Sequence, residues 1–180
     1  MRSLEREERE ALPISGMALV RAEAAEHEAR LLAVQALPHC SLELERIADA
    51  IHITSLSVPR SGGRRGQGLA TDLMAAVLDV ADRHGVPVTL DADPTLEAGD
   101  PDLVTLMRRY QAFGFVATGV NEMDWVRMER PAQPHRGVWA LIEAYFTARA
   151  DDCPVDDIRR EVEELQSARD QQIAASPGYR

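Results

Sequence analysis

Between Val58 and Ala70 the chain reads Val-Pro-Arg-Ser-Gly-Gly-Arg-Arg-Gly-Gln-Gly-Leu-Ala, and residues of these types in this order suit the holding of an anion. Gly66, Gly68 and Ala70 leave backbone amides uncovered where a helix is about to begin. The unpaired N–H groups and the dipole of a helix start favour phosphate there. A P-loop needs Lys and then Ser or Thr after its last glycine; Leu69 and Ala70 stand in those places, so that reading fails. The dinucleotide fingerprint needs a glycine at Thr71 and a place near the start of an α/β domain, which disfavours it as well.

Arg65-x-x-Gly68-x-Ala70 matches an Arg/Gln-x-x-Gly-x-Gly/Ala signature. Upstream stands Leu56-x-Val58-x-x-x-x-x-Arg64, and downstream Arg109-Tyr110-Gln111-Ala112-Phe113-Gly114-Phe115. In order, spacing and context these resemble the GNAT superfamily of acyl-CoA-dependent N-acetyltransferases, over roughly Ser41 to Pro131. The resemblance implies a splayed mixed sheet that opens between two central parallel strands. The pantetheine arm of acetyl-CoA would lie in the gap and its pyrophosphate on the loop. Leu56, Val58, Arg64, Arg65, Gly66, Gln67, Gly68, Leu69 and Ala70 are then the expected cofactor-binding residues. Members of the family commonly have two helices and two strands ahead of the hairpin, whereas the stretch ending at Cys40 has room for one helix and little else, so the acceptor side is expected to be trimmed.

Tyr110 read alone is a half-buried packing tyrosine. Its place in Tyr110-x-x-x-Gly114-Phe115 matches the family's general acid, which protonates the departing thiolate. His52 read alone is an exposed strand histidine. An imidazole that titrates near neutrality can also take a proton from an alkylammonium, and some arylalkylamine-type members have histidines on this strand. Glu43 and Glu45 on the neighbouring strand are rivals for that role, although solvated carboxylates are the plainer reading. Asp91, Asp93, Glu97, Asp100 and Asp102 crowd one loop, which reads as a solvated charge run flanking the acceptor mouth. The run lacks the spacing and the glutamate of an EF-hand, so no metal is assigned.

Positioning these groups takes alternating strands and helices. A helix is expected over Met17 to Gln35, then a hairpin of Ser41 to Arg46 and Ile51 to Val58 in which Ile51, Ile53 and Ser55 share a face. Leu69 to His84 follows helical spacing until Gly85 stops it. Val86 to Leu90 reads as a buried strand, Pro101 to Ala112 as a helix, and Phe115 to Val120 with Trp125 to Glu129 as a closing pair of strands. Beyond the linker of Pro131, Pro134 and Gly137, the segments Val138 to Arg149 and Val155 to Ile173 read as helices outside the sheet-forming body. The apolar face of the second (Val155, Ile158, Val162, Leu165) needs a partner, either the body or a second subunit. The fold class is therefore α/β, a mixed sheet flanked by helices, with residues 1–131 as the acetyltransferase domain and 132–180 as a C-terminal helical extension.

A chain of 180 residues supports one core, and 45% apolar with 28% charged residues is the balance of a globular protein. The formal charge of -10 repels nucleic acid and attracts amines. All basic residues are arginine, so no lysine exists for a Schiff base, a P-loop or self-acetylation. Cys40 and Cys153 lack CxxC partners, which fits a reducing cytoplasm, and no apolar run is long enough for a membrane span or secretion signal. The expected activity is transfer of an acetyl group from acetyl-CoA to a primary amine of a small molecule or peptide by direct attack. A non-catalytic coenzyme A-binding or interaction module is the alternative. A homodimer through the C-terminal helices is the expected assembly.

Overall fold

In the computed structural model, residues 16–36, 40–58, 68–94, 101–150 and 155–175 are described. Five strands form one open mixed sheet: β1 (Ser41–Ile47), β2 (Ala50–Ser57), β3 (Val88–Ala92), β4 (Val116–Val120) and β5 (Val126–Arg130), in the order β1-β2-β3-β5-β4. Only β2 and β3 pair parallel; the other neighbours are antiparallel. The helices are α1 (Gly16–Ala36), α2 (Leu69–His84), α3 (Leu103–Ala112), α4 (Val138–Ala150) and α5 (Val155–Ala175).

Alternation along the strands sorts their side chains into two faces. Leu44, Ile51, Ile53, Val88, Leu90, Ala92, Val126 and Met128 are buried on one face, against the helices. Glu43, Glu45, His52, Thr89, Asp91, Arg127 and Glu129 occupy the other, where the charged residues of β1 and β5 are exposed. On the apolar side α1 packs on β1 and α2, α2 on β2, and α3 on β3, while α4 touches both α2 and α3. The alanines Ala22, Ala25 and Ala29 of α1, each at 0% exposure, let it lie close to its neighbours.

Glycines and a carboxylate mark the helix ends. Gly68 (φ +80°) precedes α2, and Gly85 (φ +67°) ends it with its N–H on the carbonyls of Ala81 and Asp82. Both φ values lie where a side chain is strained and glycine is not. Asp102 caps α3 by accepting from the Thr105 amide at 2.8 Å, so the helix begins at Leu103 instead of Pro101. Hydrogen bonding from Thr105, from its side chain first and then its amide, holds the Asp102 carboxyl below its ordinary range.

Three charged residues, Asp79, Asp82 and Arg130, are buried among the described residues. Arg130, at 0% exposure, ends β5 on the core side and bonds Asp82 of α2 through both terminal nitrogens at 2.8 and 2.9 Å. Its Nε donates to the Phe113 carbonyl at 2.9 Å, and the Gln133 amide donates to Asp82 at 2.9 Å. A fork-on-fork pair whose third nitrogen, Nε, also has an acceptor is a form in which buried charge is tolerated. It ties α2, the end of α3 and the chain leaving β5 to one point.

Three expectations need adjusting. The third strand starts at Val88, because Pro87 lacks an N–H and Val86 closes the end of α2 by donating to the Ala81 carbonyl at 2.9 Å. Ser55 leaves the face of Ile51 and Ile53, for a reason given below. The two C-terminal helices do not stand apart from the body: Leu141, Tyr145, Ile158 and Val162 are buried in the same core. Tyr145 stacks on Phe113 with centroids 4.4 Å apart, and Arg169 of α5 reaches the Asn121 carbonyl and Asp124 in the β4–β5 turn.

Candidate functional site: a parting in the sheet

Ser55 faces Glu43 across the β1–β2 hairpin, but the next pair is Ile53 with Leu44, so Thr54 is an extra residue on β2. Such a bulge bends its strand and increases the local twist. It also sends Ser55 to the side of Glu43 and returns Leu56, paired with Leu42, to the side of Ile53. The consequence for the neighbouring strand is direct. Parallel pairing of β2 with β3 runs through Ile51↔Val88, His52↔Thr89 and Ile53↔Leu90, where it ends. Yet β2 continues to Ser57 against β1, and β3 continues to Ala92 against β5. The two central strands thus part at their carboxyl ends, immediately past the bulge.

Elements on either side of the parting carry the expected groups. Leu56 and Val58, both half-buried, lie on the β2 side. Gly68, Leu69 and Ala70 open α2, which begins at the carboxyl end of β2 as a strand–helix–strand crossover requires. Among the described residues, a Cβ placed on Gly68 would meet nothing within 4 Å. Arg64, Arg65, Gly66 and Gln67 lie outside the described residues, as do Glu97 and Asp100.

Tyr110 belongs to α3, over β3. Its ring meets Phe115 edge to face at 6.0 Å, and its carbonyl accepts from the Phe113 and Phe115 amides as Gly114 (φ +87°) turns the chain into β4. Burial, and secondarily the charge of Asp93 just past β3, push the phenol above its ordinary pKa, with Arg109 opposing. The O–H therefore stays protonated through the neutral and mildly alkaline range.

His52 occupies the paired part of β2 on the opposite face of the sheet from the helices. Its Nδ1 lies 2.9 Å from Thr89 Oγ1, a cross-strand contact that orients the ring and points Nε2 elsewhere. His52 and Tyr110 are thus on opposite sides of the sheet, with His52 one residue short of the last β2–β3 pair. Glu43 and Glu45 are exposed on the His52 face. Asp91 is tied to Arg127 at 3.4 Å and accepts from Asn121 at 3.1 Å, which makes it a structural carboxylate.

Sequence reading missed Thr89, and simple alternation puts Thr54 on the face of His52 without showing that it is a bulge. Thr89 has no signal beyond its strand. Thr54 has one: the apolar spacing along β2 changes from two (Ile51, Ile53) to three (Ile53, Leu56), the mark of an inserted residue. Among the described residues no group of three or more His, Cys, Asp or Glu side chains is placed to hold a metal ion, and no helix is long and apolar enough to cross a membrane. Neither a scan against protein-family models nor a search of curated proteins finds a match to the chain.

Proposed function

We propose that the chain is an acyl-CoA-dependent N-acetyltransferase of the GNAT type, acting on a primary amine of a small molecule or peptide. The observation that carries this reading is the parting of β2 from β3 beside the Thr54 bulge, with the glycine-led start of α2 at the same end of β2. Acetyl-CoA supplies an activated thioester: the amine nitrogen bonds to the carbonyl carbon, the C–S bond breaks, and the nitrogen gives up a proton while the sulfur departs as thiolate or thiol.

The chain's own residues account for the rest. Backbone amides from Gly68 to Ala70 suit the diphosphate, with Arg64, Arg65, Gly66 and Gln67 extending the cradle. Leu56 and Val58 offer an apolar edge with backbone groups for the pantetheine arm. Tyr110, kept protonated by burial, donates to the sulfur as charge builds there. His52, held at Nδ1 by Thr89, presents Nε2 to the ammonium directly or through water. Acid and base on opposite sides of the sheet match a reaction whose leaving group and nucleophile flank the same carbonyl. The carboxylates Glu43, Glu45 and Glu129 share the His52 face, and with a formal charge of -10 they draw cations to it. Cys40 is buried and free, which fits a reducing cytoplasm.

Release of free thiol from acetyl-CoA across a panel of primary amines tests the assignment. Amine-dependent release supports it. Tight coenzyme A binding with no turnover for any amine favours a non-catalytic module on the same scaffold.

A further inference from the structure

Helix α1 has two apolar faces. One is the alanine face already described. The other is the series Met17, Val20, Ala24, His27, Leu31 and Val34, spaced alternately by three and four, which is the a/d seam of a coiled coil. This seam faces outward: Met17 is 63% exposed, Val20 60%, Leu31 51% and Val34 66%, and Ala24 and His27 are exposed with them. Four large apolar side chains in register on one exposed stripe mark an interaction surface.

We propose that this seam joins two copies of the chain, α1 packing antiparallel on α1 of the second copy about a two-fold axis near Ala25 and Glu26. A two-fold interface must be complementary to itself, and the charges flanking the seam decide between the two ways of achieving that. The flanking positions are Arg21, Glu23, Glu28 and Arg30. In the antiparallel arrangement Glu23 faces Arg30 of the second copy, and Arg21 faces Glu28, so every flanking contact joins opposite charges. A parallel pair instead sets Glu23 against Glu28 and His27 against His27. Size complementarity agrees: antiparallel packing meets Met17 with Val34, Val20 with Leu31, and the small Ala24 with His27.

Two flanking residues also have partners in their own chain. Arg30 bonds Glu26 at 2.7 Å and the Leu44 carbonyl at 2.9 Å, but its side chain remains 58% exposed and a guanidinium's five donors leave room for a second carboxylate. Glu28 is shared with Arg83 and His84, so Arg21 joins an existing network and Glu23–Arg30 is the stronger discriminator. This contact differs from a dimer through the C-terminal helices, since Ile158 and Val162 of α5 are spent in the chain's own core.

Sedimentation of the full chain at micromolar concentration tests the proposal, with far-UV circular dichroism and a thermal melt as folding controls. The expected result is a dimer that Val20→Glu with Leu31→Glu converts to a folded monomer. Glu23→Arg should raise the dissociation constant several-fold, and adding Arg30→Glu should recover most of the loss. In a background with Cys153→Ser, Val20→Cys with Leu31→Cys should form intermolecular disulfides on oxidation, while either single variant should not, because like positions then lie about 16 Å apart along the axis at a rise of about 1.5 Å per residue. A wild-type monomer, a dimer indifferent to the Val20 and Leu31 changes, or a dimer left unchanged or tightened by Glu23→Arg would overturn it.

Discussion

Ile53 and Leu90 are the last residues to face each other across the two parallel strands of the sheet, although each strand runs on with its outer neighbour. The extra residue Thr54 follows Ile53 directly, so the bend it introduces begins where pairing stops. Deleting Thr54 should remove the bulge and let the β2–β3 ladder extend. The expected outcome is a folded protein, by circular dichroism, that has lost acetyl-CoA binding. Retained affinity would separate the bulge from the site.

Tyr110→Phe removes one oxygen and little packing. Because a thiolate whose parent pKa is about 8 to 9 can leave unprotonated, the phenol helps without being obligatory, and turnover should fall ~10-fold to ~1000-fold with acetyl-CoA affinity nearly unchanged. Since burial raises the Tyr110 pKa, the wild-type rate should show no loss from phenol ionisation until above the ordinary tyrosine range. Steady-state kinetics across pH check both points; full activity in the Phe variant would make Tyr110 a packing residue.

Asp82→Asn leaves Arg130 buried with an uncompensated charge. Breaking such a pair costs about 3–5 kcal/mol, measurable by urea denaturation. Asp82→Leu combined with Arg130→Met should cost markedly less than Asp82→Asn, because both charges are then removed together. Similar losses in both would contradict the ion-pair account of this position.

Glu28 links α1 to α2 through His84 at 2.9 Å and Arg83 at 2.8 Å, and the His84 bond is the main reason its carboxyl lies below 4.5. A carboxyl with a depressed folded pKa contributes stability that is fully present above its unfolded value and is lost as pH falls through the folded value. Thermal melts should therefore show part of the acid destabilisation below about pH 4.5 vanish in Glu28→Gln. An unchanged acid limb would mean that the contact adds nothing in solution.

Much of the architecture is legible in the residues. Gly85 and the spacing of Leu73, Val77, Leu78 and Val80 define α2 to the residue, and the strand pairs fall where alternation places them. What escapes is set by tertiary context. Arg130 falls just past the strand that alternation marks, Trp125 to Glu129, and Asp82, far off in sequence, makes its burial tolerable. The C-terminal helices look separate because a linker rich in proline precedes them, and linker composition says nothing of what their apolar faces meet. The bulge at Thr54 is visible as a change of apolar spacing in β2, but its consequence depends on β3, which supplies no matching insertion. His52 stands out by type and Tyr110 only by its place in Tyr110-x-x-x-Gly114-Phe115, while their placement on opposite faces of the sheet follows only from register and packing.

The most direct test is calorimetric titration of acetyl-CoA into the wild type, Gly68→Glu and Gly85→Glu. Both glycines have positive φ, a new Cβ at either meets nothing within 4 Å among the described residues, and they cap opposite ends of α2, so the two substitutions impose comparable backbone strain. Only Gly68 stands at the proposed diphosphate cradle. Saturable binding to the wild type, abolished by Gly68→Glu and kept by Gly85→Glu, is the result expected; no binding to the wild type, or equal affinity in all three, would contradict the assignment.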